Sequence, residues 1–200
     1  MLAAYRFLIG TIEQAIVTAR SSHADEAANL WRAGQTLLKS VVAELRMWIL
    51  LKEGDGDSAW RSFCDAEDYA VLALRWSPDN FAPARDQVEH LGLVEKVVFP
   101  EQPFFVSTTL IVGREICTIC EADYGSCNHL VGELYAGDMC VRRCEEIKDI
   151  LSISLVKNPA DKRNRIRSAT DTDPLTGEPP KRPKIPPTKK PNKKKRRRRK

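Results

Sequence analysis

CTICEADYGSCNH, residues 117–129, places three cysteines and one histidine within thirteen positions. Cys117 and Cys120 form a C-x2-C turn, a spacing that lets two thiolates face one ion from a tight knuckle. Cys127 and His129 are two apart, and on an extended strand such a pair projects to one face. Tyr124-Gly125-Ser126 supplies turn chemistry between the halves. Two ligands from a knuckle and two from a facing strand close a tetrahedron. Thiolate together with imidazole suits Zn2+ best among common cellular cations. With no vacant position, such an ion is structural and takes the place of a hydrophobic core. Cys140 and Cys144 complicate the assignment. They are four apart, a spacing that shares one face of a helix. A second set, Cys117, Cys120, Cys140 and Cys144, would resemble a zinc ribbon, so both cysteines stand as alternates. The compact set is preferred because it contains the histidine and closes the shortest loop. The sixth cysteine, Cys64, falls beside Trp60 and Phe63 on a helical stripe and reads as core.

Upstream, the apolar periodicity is helical. Leu2, Tyr5, Leu8, Ile9, Ile12, Ile16 and Ala19 recur at three- and four-residue steps. Ser22 and Asp25 read as the capping pair of a second helix reaching about Lys52. A third helix starts near Ser58 and stops at Ser77-Pro78. A shorter one is predicted from Pro83 to Gly92. Trp31, Trp48, Trp60 and Trp76 all lie on these stripes and are expected in the core. Downstream, FFVSTTLIV (104–112) and LSISLV (151–156) read as strands. The expected fold class is α+β: a helical bundle over 1–95, a small zinc-binding α+β module over 96–166, and a disordered basic tail over 167–200.

Charge is divided unevenly. Residues 181–200 hold 13 of the 32 Lys and Arg and no acid, leaving the rest with 19 basic and 27 acidic residues, a net of −8. The tail is rich in proline and poor in large apolar residues, so burial cannot repay its ordering entropy. Lys189, Lys190, Lys193, Lys194, Lys195, Arg196, Arg197, Arg198, Arg199 and Lys200 are the candidate nucleic-acid contacts. Such a run neutralises phosphates without reading sequence. No aromatic interleaves it, so base stacking is not expected. An import signal or an anionic-membrane patch is a further use of the same charge.

No stretch is apolar over the ~20 residues needed to span a bilayer. Glu13 interrupts the N-terminal apolar run, which disfavours a signal or transit peptide. The expectation is an intracellular protein, cytoplasmic or nucleoid-associated (nuclear in a eukaryote), with its cysteines as thiols or metal ligands. Catalytic signals are absent. His23 and His90 read as helix-end residues. Asp65, Glu67 and Asp68 read as a solvated helix face, and no phosphate-binding glycine loop occurs.

CTIC, then CNHLVG, then YAGDMC, then SLV-x-NPAD resembles a cysteine-bearing insertion and closing strand of some phage prohead (capsid maturation) proteases, over residues 104–166. The resemblance implies a small mixed β module with the knuckle as an insertion. No catalytic histidine maps onto this chain, so it carries over no protease activity. The chain also resembles an uncharacterised group of zinc-knuckle proteins. The expected function is a non-enzymatic zinc-stabilised adaptor that binds a protein partner through its body and nucleic acid through its tail. The alternative is an enzyme, a hydrolase on a protease-like fold or a metal-dependent nuclease of phage-related or defence origin.

Overall fold

The computed structural model describes residues 2–78, 81–99 and 104–166. The tail lysines and arginines from Lys189 to Lys200 lie outside the described residues.

Four helices come first: α1 (Leu2–Ser21), α2 (Asp25–Lys52), α3 (Gly56–Trp76) and α4 (Ala82–Val98). The turn after α2 is short, and Asp55 caps α3 by accepting a hydrogen bond from the Ser58 amide at 3.0 Å. α3 therefore folds back along α2. Small side chains line that contact, with Ala43 on α2 and Ala59, Ala66, Ala70 and Ala73 on α3 all buried. The helices approach closely enough for the Ser40 hydroxyl to donate to the Ala66 carbonyl at 2.8 Å. At the other end of the bundle, Trp60, Phe63 and Phe99 form an aromatic cluster with ring centroids 5.0 to 5.6 Å apart. Met47, Leu91 and Phe105 pack around it. α1 is held on α2 by a separate group, Ile12, Ile16, Ala19 and Ala28.

Several local expectations are corrected. Ser22 does not cap α2. Its hydroxyl donates back to the Thr18 and Ala19 carbonyls and closes α1, while Ala24 precedes α2 without a side-chain cap. α4 does not stop at Gly92 but runs on to Val98, because Val94 is buried and Val98 packs against the core. Of the four tryptophans, Trp60 is buried, but Trp31 and Trp48 are 48% and 42% exposed. A helical stripe does not say how wide its cover is.

The remaining chain is one long excursion that returns on itself. Its strands are β1 (Phe105–Val112), β2 (Glu115–Cys117), β3 (Leu134–Tyr135), β4 (Asp138–Met139), β5 (Arg142–Cys144) and β6 (Ile147–Val156). The pairs are nested: β1 with β6, β2 with β5, β3 with β4, each antiparallel. Both ends of this excursion are fixed to the helices. Phe105 and Val156 join the aromatic core at its base. At its far end the β3–β4 hairpin meets α1, α2 and α3. Arg20 donates to the Ala136 carbonyl at 3.0 Å, Arg32 to the Gly137 carbonyl at 2.6 Å, and Trp76 to the Gly132 carbonyl at 2.8 Å. Gly137 has φ +81°, and a Cβ there would sit 2.8 Å from Ile16 Cγ2, so the close approach requires glycine.

After β6 the chain lies across α3 as a charged strap. Trp60 Nε1 donates to the Lys162 carbonyl at 3.0 Å, and the Arg165 guanidinium sits 5.0 Å from the Trp60 ring centroid. Among the described residues no helix is long and apolar enough to cross a membrane.

Candidate metal centre

Chain geometry after β2 builds the site. The Cys117 carbonyl accepts from the Glu121 amide at 2.9 Å, and Glu121 takes a left-handed φ of 58°. This tight turn brings the Ile119 amide to 3.4 Å from Cys117 Sγ and swings Cys120 alongside it. A 3-10 turn, Tyr124–Ser126, then reverses the chain, with the Ser126 hydroxyl donating to the Asp123 carbonyl at 2.7 Å. Cys127 and His129 follow. They lie on irregular backbone rather than on the expected strand, although Cys127 itself is extended at φ −118°, ψ 163°.

Cys117, Cys120, Cys127 and His129 come together as read from the sequence. Their ligand atoms all lie within 4.8 Å of one another, so the four can hold a metal ion. Cys117 is fully buried, Cys127 and His129 are half-buried, and Cys120 is at the surface. His129 Nδ1 lies 3.6 Å from Cys117 Sγ. The imidazole is set by Tyr135, whose ring meets it edge-on at 4.6 Å between centroids. The Tyr135 hydroxyl in turn accepts from the Leu130 amide at 2.8 Å. Nothing in the spacing of the cysteines pointed to Tyr135, because it acts by holding the ring and not by ligation.

The two alternate cysteines separate. They are not on a helix: Cys140 precedes β5 and Cys144 ends it. Arg142 and Arg143 pair with Cys117 and Ile116 across the β2–β5 ladder, so an extended strand wins over the helical spacing. Cys144 is exposed, donates to the Glu146 carbonyl at 3.3 Å and takes no part in the cluster. Cys140 is fully buried, with its sulfur 3.7 Å from that of Cys117. Thr118 holds it there. The Thr118 hydroxyl donates to the Met139 carbonyl at 3.3 Å and accepts from the Val141 amide at 2.8 Å.

Electrostatics single out Cys117. Burial pushes its thiol up, but amide donors from Cys120 and Ile119 and the thiols of Cys140 and Cys120 outweigh burial and bring it down to about 6. Burial and the neighbouring Cys117 sulfur push Cys140 up to about 11. The His129 amide pulls Cys127 down, yet burial and the Cys117 and Cys120 sulfurs raise it overall. Thiols crowded this closely oppose one another's ionisation. A bound dication reverses that, because each thiolate then faces positive charge.

Elsewhere, the acidic run on α3 is solvated at Asp65 and Asp68, which are 48% and 60% exposed, but it is also ion-paired. Arg163 bonds to Asp65 at 2.6 Å and Asp68 at 2.7 Å, and Lys162 reaches both Glu67 and Glu95 at 2.8 to 3.0 Å. These carboxylates receive the strap, which the sequence reading did not foresee. His90 lies within α4 and meets Glu44 at 2.8 Å instead of facing a helix end. His23 occupies the α1–α2 turn at φ 57°. Cys64 is core as expected, its thiol pushed up to about 12 first by burial. Among the described residues no buried side-chain nitrogen or oxygen lacks a hydrogen-bond partner. No family model, curated protein or solved structure matches this chain.

Proposed function

We propose that the Cys117, Cys120, Cys127, His129 centre binds one structural Zn2+ and that the protein is a non-enzymatic adaptor. The observation that carries the metal assignment is the spacing of the donors. Zinc bonded tetrahedrally at ~2.3 Å to sulfur and ~2.0–2.1 Å to nitrogen spaces its ligands about 3.8 Å apart for two sulfurs and about 3.6 Å for sulfur and nitrogen. The Cys117–His129 separation is 3.6 Å. Cys140, at 3.7 Å from Cys117, has the spacing of a ligand too and is the reserve donor if one of the four is lost. A set of four protein ligands leaves the ion no open position, which supports a structural role over a catalytic one.

The ion would hold an excursion that has little apolar core of its own and that packs through its hairpin onto the helices. The folded body would then serve as the platform for a protein partner. The basic run at 181–200 supplies the charge for sequence-independent nucleic-acid binding.

Metal content by mass spectrometry, beside a filter-binding salt series, tests both halves. One zinc per chain is expected, weakened in His129→Ala. Binding to duplex DNA is expected to fall steeply with salt and to vanish on deleting 181–200. Freshly reduced protein without zinc refutes the first half, and salt-independent binding that survives the deletion refutes the second.

A further inference from the structure

The β1–β6 ribbon carries a face that nothing described so far covers. Successive strand residues point to opposite faces, and directly paired residues share one. On β1, Val106, Thr108, Leu110 and Val112 lie on one face. Their partners are Leu155, Ile153, Ile150 and Ile147. The opposite face carries Ser107 against Ser154, Thr109 against Ser152, and Ile111 against Asp149. Simple alternation along β6 would not give this division. Stepping by two from Leu155 reaches Leu151 and then Asp149, which would set an acid opposite Val112. Two register shifts, at Thr109/Leu110 and Ile111/Val112, leave Leu151 and Lys148 as extra residues. The two bulges return Ile150 and Ile147 to the apolar face and Asp149 to the polar one.

That face is open. Leu110, Ile147, Ile150, Leu151, Ile153 and Leu155 are 40 to 69% exposed. At on the order of 100 Å2 for each such side chain, they present about 600 Å2 of apolar surface, as much as the largest patch on an ordinary monomer. A ribbon of only two strands is marginal in water without cover. Residues 100–103 and 167–200 contain only Leu175 and Ile185 as large apolar residues, so their composition offers little apolar surface to match the face. An anionic membrane gains little here, because at the Ile147 end Glu145, Glu146 and Asp149 balance Arg114, Arg143 and Lys148, with both arginines paired to Glu145, so the face offers no net positive charge. A second copy suits the face. Leu151-Ser152-Ile153-Ser154-Leu155 reads the same in both directions, so a two-fold axis at Ile153 sets like against like. Two such faces together bury about 1,200 Å2, which reaches the range of specific interfaces.

We propose that the apolar face of the β1–β6 ribbon is a homodimer interface, with two copies packed face to face as a four-stranded, two-layer sheet. The assignment is independent of the metal. It is tested on the full chain by sedimentation velocity from about 1 to about 100 µM, a range that brackets an interface of this size. Salt is kept high enough to screen the basic tail. The wild type is expected to sediment as a dimer. Ile153→Asp should weaken the dimer by at least about 100-fold, and Ser154→Asp on the opposite face should leave it unchanged. If Ile153→Asp fails to fold by circular dichroism, Thr108→Lys carries the test, since it keeps every apolar group and adds charge to the same face. A wild type that stays monomeric throughout, a dimer that survives both charged variants of the face, or equal disruption by Ser154→Asp overturns the proposal. A monomer captured by lipid vesicles does so as well, and assigns the face to lipid.

Discussion

Replacing Lys162 with methionine removes one ammonium and leaves two carboxylates facing each other. Lys162 reaches both oxygens of Glu67 and both of Glu95 at 2.8 to 3.0 Å. Methionine keeps the aliphatic stem, so the change is electrostatic. Exposed pairs contribute about 0–1 kcal/mol, and breaking a fully buried one costs about 3–5 kcal/mol. The side chains here are 22 to 36% exposed, between those limits. We expect a loss of about 2 kcal/mol, or about 4–8 °C in Tm for a folded unit of this size. The pH dependence discriminates further. Burial raises the Glu67 carboxyl above its usual range even though Lys162 opposes the rise, and Glu95 adds to it. Without the ammonium it rises more. A carboxyl raised on folding costs stability above its folded pKa and nothing below its unfolded one. The deficit of the variant is therefore largest near neutrality and shrinks as the pH falls toward about 4, the unfolded glutamate value. Paired thermal melts followed by circular dichroism, wild type beside Lys162→Met at each pH, measure it. A deficit below about 1 °C, or one unchanged between about pH 7 and about pH 4, refutes the reasoning and makes the strap a surface ornament.

Cys64 should resist iodoacetamide in the native protein near pH 8, since burial pushes its thiol up to about 12, and should react once the chain is unfolded in denaturant. Peptide mapping distinguishes it from the exposed Cys144, and native-state labelling of Cys64 would contradict its place in the core. Gly137→Ala combines a left-handed φ with a Cβ 2.8 Å from Ile16 Cγ2, and should cost about 1–3 kcal/mol in urea unfolding, whereas Gly54→Ala, strained but uncrowded, should cost less. Equal losses would mean that the hairpin does not press on α1.

What was legible from sequence was whatever repeats locally. The apolar stripes of α1 to α3 lie within single helices, and the four donors of the candidate site fall within thirteen residues. The misreadings came where a distant partner decided. Gly92 looked like a stop, yet Val94 and Val98 had a core to join. Cys140 and Cys144 had helical spacing, yet pairing with β2 made the chain from Arg142 to Cys144 a strand and left Cys140 just before it. Asp65, Glu67 and Asp68 looked unpaired because their partners, Lys162 and Arg163, stand nearly a hundred residues away. The full length of β6 was hidden by its own bulges, since Lys148 and Asp149 break the two-residue period that marks a strand.

The grip of the β3–β4 hairpin on α1 and α2 also has a kinetic side. Arg20, Asn29 and Arg32 find their partners at Ala136 and Gly137 across separations of 105 to 116 residues. Such long-range closures slow folding, because the loop entropy is lost before the contacts form. On a ribosome extending the chain at ~5–20 residues per second, α1 emerges roughly 5–20 seconds before the hairpin that covers Ile16 exists. Through that interval α1 rests on α2 with Ile16 still bare, and α3 waits longer still, for Lys162 and Arg163.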